Sequence, residues 1–204
     1  ATQYFFKIYP YSNYGSIIDY KNVNAPEVSE FSHTKINAED FEDGTFGSWT
    51  TYSVSSDKDW FVDNSAAAVS TVFSACINGE NENENSNDWL ISPRIDLSSW
   101  DNPILVFYSR WLDGFSSSEL VLKYSENYSG GDPSLATWSI LNFVKPELES
   151  LWTHSDYVLI NSVDDSLYVA FNYTSSSDPR KWNVDEIEIS GISTAFDPRI
   201  TVIQ

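Results

Sequence analysis

Residues 87–97 read Asn-Asp-Trp-Leu-Ile-Ser-Pro-Arg-Ile-Asp-Leu, and this stretch decides how the rest of the chain is interpreted. Trp89, Leu90 and Ile91 form a short apolar run after a polar loop, which predicts a β-strand. Pro93 has no backbone N–H to donate to a central ladder, so we expect this strand near a sheet edge. The interpretation also depends on two acidic segments, which are a predicted turn at 41–50 and a predicted strand at 182–187.

The composition favours strands and turns over helices. The chain has 204 residues, including 8 Trp, 12 Tyr and 12 Phe but no Met, and Ser, Thr and Asn fill the runs between apolar segments. Aromatic and β-branched residues suit a half-buried pleated surface. Candidate strands, separated by Gly, Pro, Ser and Asp clusters, lie at 36–41, 49–54, 104–112, 120–124, 158–161, 167–173 and 184–189. This spacing predicts an all-β protein, a β-sandwich of jelly-roll size.

The charge balance limits the classes of ligand. The chain carries 30 acidic and 11 basic residues, for a formal net charge of -19, and the resulting field repels phosphate backbones. Nucleic-acid binding is therefore not expected, whereas a calcium-loaded extracellular module, a glycan binder and a plain acidic surface protein all fit. Cys76 is the lone cysteine, so no intrachain disulfide can form and the redox compartment cannot be inferred. No apolar run approaches ~18 residues, so no membrane insertion is predicted.

The chain divides into three parts. Residues 1–30 predict a short β-rich appendage with strands at 4–11 and 17–20, and residues 22–31 predict a linker. The appendage resembles the last hairpin of a fibronectin-III-like domain, and a hairpin that belongs to the main domain fits equally. Residues 31–192 predict the sandwich, and 193–204 a C-terminal linker. Because residues 1–6 look like the interior of a strand, we expect this chain to be part of a longer protein.

Alternation along the strands assigns side chains to faces. On the strands at 104–112, 120–124 and 167–173, one parity is apolar and is predicted to face the core. If these strands are neighbours, the side chains of the other parity lie together on one sheet face. They are two of the few cations, two tyrosines and an amide: Tyr108, Arg110, Lys123, Tyr168 and Asn172. Aromatic rings stack on sugar rings, and cations or amides fix hydroxyl or acidic groups, so this face is a candidate ligand platform. An ordinary solvent-exposed face explains the same pattern, and the loops at 114–118 and 175–181 are the next candidates.

The last predicted strand contains a carboxylate that needs a partner. Asp185 shares the parity of Ile187 and Ile189, so we expect it to be buried near the start of the strand. Burying a carboxylate is costly unless it is paired or ligated. A hard cation bound by carboxylates from distant strands would satisfy it, as calcium does with oxygen ligands. Pairing with an arginine or capping by backbone amides would satisfy it as well.

Several motifs together resemble one family. They are Glu39-Asp-Phe-Glu42, Gly47-Ser-Trp-Thr50, the run from Asn87 to Pro93, the strands at 107–111 and 120–128, Gly131-Asp-Pro133, Ala136-Thr-Trp138, and the strand from Trp182 to Ile189. Over roughly residues 35–190 the set resembles the choice-of-anchor J, or cleaved-adhesin, family, which is similar to galactose-binding and MAM domains and looks like a jelly-roll β-sandwich. The family occurs in secreted and cell-surface bacterial proteins, as adhesin modules of gingipain-type proteases and beside extracellular nucleases and glycan-degrading enzymes.

The resemblance implies a structural calcium site built from the Phe-Glu turn and the Asp of the last strand. Position by position it nominates Glu42 and Asp185, with Asp43 and Asp88 as weaker candidates. It also implies a function. The chain would be a non-catalytic, calcium-stabilised binding or adhesion module of a larger secreted or cell-surface bacterial protein. Its partners would be a polysaccharide or a cell-surface protein, together with neighbouring domains of the parent protein.

An enzymatic function is the alternative. His33 and His154 are the two histidines, and neither lies in a recognisable nucleophile or metal motif. The Gly-x-Ser-x-Gly and His-Glu-x-x-His signatures are absent, so no catalytic residue is predicted. A secreted glycan-active enzyme or nuclease with its active site in this chain stays open, because 30 carboxylates always offer pairs.

Overall fold

The computed structural model describes residues 3–7, 11–12, 19–20, 27–64, 72–79, 85–112, 118–176 and 179–194. Most of the candidate loop at 114–118, part of the one at 175–181, and the C-terminal linker from residue 195 onward lie outside these ranges. Across the described residues the only helix is a single 3-10 turn at Pro133–Leu135, and the rest of the regular structure is strand. The prediction of an all-β protein is therefore confirmed.

In chain order, the described strands are β1 (Gln3–Lys7), β2 (Tyr11–Ser12), β3 (Asp19–Tyr20), β4 (Glu27–Phe31), β5 (Thr34–Glu39), β6 (Thr50–Ser55), β7 (Phe61–Asp63), β8 (Ser74–Asn78), β9 (Asn87–Ile91), β10 (Trp100–Leu112), β11 (Ser118–Ser125), β12 (Ser139–Leu141), β13 (Thr153–His154), β14 (Val158–Leu159), β15 (Tyr168–Ser175) and β16 (Lys181–Ser193). Every candidate strand of the second half is present. The short strands β12 and β13 were not predicted, because two or three residues carry too little alternation to be recognised.

Two antiparallel sheets form the sandwich. A seven-stranded sheet has the order β13-β10-β16-β8-β7, with β14 also paired to β10 and β5 to β16. A five-stranded sheet has the order β12-β11-β15-β9-β6. The apolar parities predicted for β10, β11 and β15 face the core that both sheets enclose, and they include fully buried members from each: Leu105, Phe107, Leu120, Leu122, Val169 and Phe171.

The stretch at 87–97 is more central than its proline suggested. β9 is hydrogen-bonded on both sides, to β15 and to β6, and β6 is the edge strand. The strand ends at Ile91, so Pro93 lies beyond the ladder and removes no hydrogen bond from it. Trp89, Leu90 and Ile91 are all buried, because the core lies on one side of this strand and a second aromatic cluster on the other.

The N-terminal residues are strand-rich, as predicted, but their pairing differs. β1 pairs with β4 over the whole of both strands, and the two-residue strands β2 and β3 pair with each other. The predicted linker at 22–31 is therefore wrong in its second half, since Glu27–Phe31 is a strand. The remainder of that segment, residues 22–26, lies outside the described residues.

Candidate functional site

The predicted ligand platform is divided between the two outer faces of the sandwich. The parities were right, because Tyr108, Arg110 and Lys123 all alternate with buried core residues. The condition that the three strands are neighbours holds for β11 and β15, which pair in the five-stranded sheet, but not for β10, which belongs to the seven-stranded sheet. Lys123, Tyr168 and Asn172 thus share one outer face, and Tyr108 and Arg110 lie on the opposite one.

The outer face of the five-stranded sheet carries an aromatic cluster, which we call the aromatic face. Its sheet members come from β6, β9 and β15, and a loop at residues 126–138 folds over them. The cluster consists of Tyr52, Trp89, Ile91, Tyr128, Ala136, Trp138, Tyr168 and Ala170. The rings meet in tilted or edge-on pairs, with centroids 5.0 Å apart for Trp89 and Trp138 and 5.1 Å apart for Tyr128 and Tyr168. Such geometry stabilises the loop on the sheet beyond simple burial.

Lys123 and Asn172 form a fixed polar group at one end of the aromatic face. The Lys123 ammonium donates to Asn172 Oδ1 at 2.8 Å and lies 4.6 Å from the centre of the Trp89 ring. Asn172 Nδ2 and Trp89 Nε1 each donate to Asn87 Oδ1 at 2.9 Å. Burial lowers the pKa of Lys123, although Glu119 acts in the other direction. These contacts show that Lys123 holds the sheet surface together rather than projecting freely into solvent.

A cavity of about 370 Å³ opens at the other end of the aromatic face, and we call it the tyrosine cleft. Three tyrosines line it, together with a guanidinium, small hydroxyl side chains and the glycines of the loop: Tyr52, Tyr128, Tyr168, Arg94, Ser48, Thr50, Thr51, Ser92, Pro93, Gly130 and Gly131. Its volume lies in the range of pockets that bind small ligands. The cleft thus combines aromatic faces with hydrogen-bonding groups in one concave site.

The walls of the tyrosine cleft are held in place by local bonds. The Tyr128 hydroxyl donates to the carbonyl of Gly131 at 2.9 Å, and Gly131 has a positive φ of 78° that a side chain would strain. Arg94 Nη2 donates to the carbonyl of Asp165 at 2.6 Å. Burial raises the pKa of Tyr128, and the nearby Tyr168, Tyr52 and Asp132 raise it further. The Tyr128 hydroxyl therefore stays neutral near pH 7 and can act as both donor and acceptor.

The outer face of the seven-stranded sheet is different, and we call its centre the polar face. Lys181 Nζ donates to Asp63 Oδ2 at 2.6 Å across the buried Cys76, whose thiol pKa is raised by burial to about 12. Arg110 lies between Asn183 on β16 and Trp152 beside β13. Its guanidinium carbon is 4.9 Å from the centre of the Trp152 ring, and its Nε donates to Asn183 Oδ1 at 3.4 Å.

Tyr108 borders a second cavity on the same outer face. This cavity of about 230 Å³ is lined by Tyr108, His154 and carboxylates of β5 and β16, among them Glu39 and Glu188. The rings of Tyr108 and His154 meet edge-on with centroids 5.1 Å apart. Lys35 bridges to Glu188 at 3.0 Å in an exposed pair. Tyr108 therefore belongs to a mixed-charge groove and is not part of the tyrosine cleft.

Glu42 and Asp43, two of the four residues proposed as calcium ligands, make separate hydrogen bonds. Glu42 Oε1 accepts the amides of Val72 and Phe73, each at 2.9 Å, and Asp43 Oδ1 accepts both donors of Thr45. Asp88 is buried in the five-stranded sheet, and Asp185 is buried in the seven-stranded sheet. Within the described ranges no three His, Cys, Asp or Glu side chains gather as a metal site. Calcium binding therefore stays a proposal.

Asp185 is buried as expected, but the regular alternation from which its burial was predicted does not hold in this part of the strand. Its Oδ1 accepts the amide of Glu186 at 2.7 Å, which is the backbone capping that the sequence left open. Glu186 has a positive φ of 51°, and Val184 and Ile187 both contribute to the core. Because simple alternation would put Val184 and Ile187 on opposite faces, the strand is irregular here, and the parity count cannot be carried across it.

The tyrosine cleft was not identified from the sequence, although one feature pointed to it. Trp89, Leu90 and Ile91 are apolar on both parities, which is typical of a strand covered on both faces. The cover is the loop that carries Tyr128 and Trp138, and its aromatic residues were visible in the family motifs. What the sequence did not reveal was that Tyr52 from an edge strand and Arg94 from beyond β9 complete the same cavity.

Comparisons with known proteins identify the fold. No family model matches the chain, and no curated protein matches it significantly. The chain is similar to the K1 cleaved adhesin domain of Lys-gingipain from Porphyromonas gingivalis, with 22% identity, a TM-score of 0.57, and coverage of 75% of this chain and 96% of that domain. The K3 cleaved adhesin domain gives 18% identity and a TM-score of 0.54, with coverage of 78% and 99%.

A carbohydrate-binding module is similar as well. The C-terminal family 22 carbohydrate binding module of a Clostridium thermocellum protein gives 15% identity and a TM-score of 0.52, with coverage of 80% of this chain and 96% of that module. At these identities the likeness establishes the β-sandwich fold of the adhesin type. No helix among the described residues is long and apolar enough to cross a membrane.

Proposed function

We propose that this chain is a non-catalytic binding module that holds a polysaccharide in the tyrosine cleft. The observation that carries the proposal is the convergence of Tyr52, Tyr128 and Tyr168 on a cavity of about 370 Å³ with hydroxyl and guanidinium groups at its rim. Sugar rings offer apolar C–H faces and a periphery of hydroxyls. Tyrosine rings can stack on the C–H faces, and Arg94 and the serine and threonine hydroxyls can form hydrogen bonds with the sugar hydroxyls.

The charge of the cleft supports a neutral rather than a phosphorylated ligand. Arg94 is the single charged residue in the described lining, and the Asp165 carbonyl already accepts one of its hydrogen bonds. The remaining chain is strongly acidic, with a formal net charge of -19. Polyanions are therefore repelled at long range. A hydrolytic function has no support here, because the described lining includes no Asp, Glu or His.

The same proposal covers the setting of the module. It is secreted or displayed on a bacterial surface as part of a larger protein, and neighbouring domains or surface proteins are its other partners. The likeness of its fold to cleaved adhesin domains and to a carbohydrate-binding module supports this setting.

Affinity electrophoresis tests the proposal. The protein is run through native gels that contain xylan, galactan or mixed-linkage β-glucan, and at least one is expected to retard it. Tyr168→Ala should then weaken retardation ~tenfold, which corresponds to the loss of one aromatic stacking contact. Tyr157→Ala is the matched control, because Tyr157 is 77% exposed and lies outside the cleft. The proposal fails if no neutral polysaccharide retards the protein, or if both variants bind equally.

A further inference from the structure

Arg110 is a half-buried cation without a direct ion pair among the described residues. It makes no ion pair with the described residues, and its one hydrogen bond is the long contact from Nε to Asn183 at 3.4 Å. Burial lowers its pKa, while Asp63 and Cys76 act in the other direction. Because a guanidinium stays charged at any physiological pH, the fold retains a positive charge here at a cost in solvation.

The neighbours of Arg110 fix its position but do not neutralise it. Asp63 is already bonded to Lys181 at 2.6 Å, so two cations share one carboxylate, and the Cys76 thiol is uncharged below its pKa of about 12. The Trp152 ring supports the guanidinium on one side, and the buried Asn183 amide, itself bonded to Ser74 Oγ at 3.1 Å, holds it on the other. The two terminal nitrogens of the guanidinium are thus oriented in advance and have no described hydrogen-bond partner.

We propose that the polar face is a second ligand site, in which the terminal nitrogens of Arg110 bind the carboxylate of an acidic sugar in a polysaccharide. A planar carboxylate matches the fork of a guanidinium with two parallel hydrogen bonds. Lys181, which lies close enough to interact with both Arg110 and Cys76, adds positive potential at the same place. The local charge from Arg110, Lys181 and Asp63 is positive, and it acts within a Debye length of ~8 Å against the acidic background.

An exposed aromatic ring on the same face favours a sugar chain over an acidic peptide as the ligand. Arg110 pairs with Asn183, Asn183 with Cys76, and Cys76 with Phe61, so these residues form one row across the sheet. Phe61 is 43% exposed and is separated from Arg110 by three strand spacings, ~14 Å. An exposed ring at that distance can stack on a second sugar of a chain whose carboxylate binds Arg110.

This site is distinct from the tyrosine cleft, and one experiment separates the two. Retardation is measured in gels with polygalacturonate and with its fully methyl-esterified form, which keeps the sugar ring and removes the charge. Polygalacturonate should retard the protein, and Arg110→Gln should weaken that retardation ~tenfold, the usual loss for a charge-assisted pair. Arg110→Lys should recover only part of the binding, because it keeps the charge but not the fork.

Lys145→Gln is the matched control, since it removes one positive charge at an exposed position outside both the polar face and the tyrosine cleft. Equal losses in Lys145→Gln and Arg110→Gln would overturn the proposal, and so would unchanged binding in Arg110→Gln or no retardation by polygalacturonate. Equal binding of poly-glutamate would overturn the choice of a sugar carboxylate. Thermal melting of each variant checks that it is folded. Loss of neutral-polysaccharide binding in Tyr168→Ala reports on the cleft alone, so either site can fail without the other.

Discussion

The two outer faces of the sandwich are built from strands of similar pattern but are covered in opposite ways. On the five-stranded sheet a loop lays Tyr128 and Trp138 over the strands, and Trp89 beneath them is only 5% exposed. On the seven-stranded sheet the corresponding surface is polar, with Cys76 and Asn183 buried beneath Lys181 and Arg110. The aromatic face is thus a second small core, whereas the polar face is a hydrogen-bonded surface.

The difference between the two faces determines which groups each leaves available to bind a ligand. A covered aromatic cluster leaves only its rim free, and the tyrosine cleft is that rim. A polar surface leaves directed groups free, and the terminal nitrogens of Arg110 have no hydrogen-bond partner among the described residues. The predictions below test this contrast, and they begin with the variant that should cost most stability.

Trp89→Ala should destabilise the protein by ~3–5 kcal/mol, because it removes a large buried side chain from beneath Trp138 and Lys123 and leaves a cavity. Phe61→Ala is the matched truncation on the other outer face, and its cost should stay near 0.5–1 kcal/mol, or about the surface average. Urea denaturation of the two variants measures both. Similar losses would mean that the aromatic face is not a second core.

A calcium ion shared by Glu42 and Asp185 would connect the turn after β5 to β16. If an ion is shared by Glu42 and Asp185, a hundredfold excess over its Kd should stabilise the folded state by ~2.7 kcal/mol. Melting curves with calcium and with a chelator measure this, and Asp185→Asn should abolish the response. Identical curves in both buffers would leave the four carboxylates as local hydrogen-bond acceptors, the role in which Glu42 and Asp43 are seen.

The sequence predicted the inward parities well and the arrangement of strands poorly. Leu122, Phe107 and Phe171 were placed in the core because alternation is a local property of each strand. Alternation does not say which sheet a strand joins, so Arg110 and Lys123 were placed on one face although the sandwich puts them on two. Strand order depends on packing between residues that are far apart in the chain, and no local pattern records it.

The site was less predictable than the fold for the same reason. The tyrosine cleft unites Tyr52 from an edge strand, Tyr168 from a central one, and Gly130 from a loop. Each has an ordinary local context. The burial of Asp185 was predicted, yet its partner, the amide of the next residue, depends on an irregular strand that alternation cannot detect.

Cys76 makes the polar face sensitive to alkaline pH. Burial raises the pKa of its thiol from 9.0 to about 12, so the unfolded chain loses this proton before the folded one does. Stability from this group is complete below pH 9 and is lost as pH rises toward 12, by at most ~1.4 kcal/mol per pH unit. Cys76→Ala should have a flatter stability profile between pH 9 and 12. A profile as steep as that of the parent protein would show that other groups cause the alkaline loss.

The smallest expected effects compare two stacked cations, Lys123 and Arg110. Lys123→Met removes a 2.8 Å hydrogen bond and leaves the carbonyl of the buried Asn172 side chain without its donor, so it should cost ~1–2 kcal/mol. Arg110→Met removes a 3.4 Å hydrogen bond and the contact with the Trp152 ring, and it relieves a half-buried charge that has no ion pair among the described residues. Its cost should lie within ~0.5 kcal/mol of zero, because lost solvation is regained as the charge disappears.

Lys145→Met is the control for this pair, since Lys145 is exposed and its bridge to Glu119 at 3.0 Å is worth little. Equilibrium denaturation ranks the three variants. If Arg110→Met proves as costly as Lys123→Met, Arg110 stabilises the fold through Asn183 and Trp152. That structural role would explain its position without a ligand. If Lys123 alone is costly, this stacked cation stabilises the sheet surface, and Arg110 stays available for a ligand.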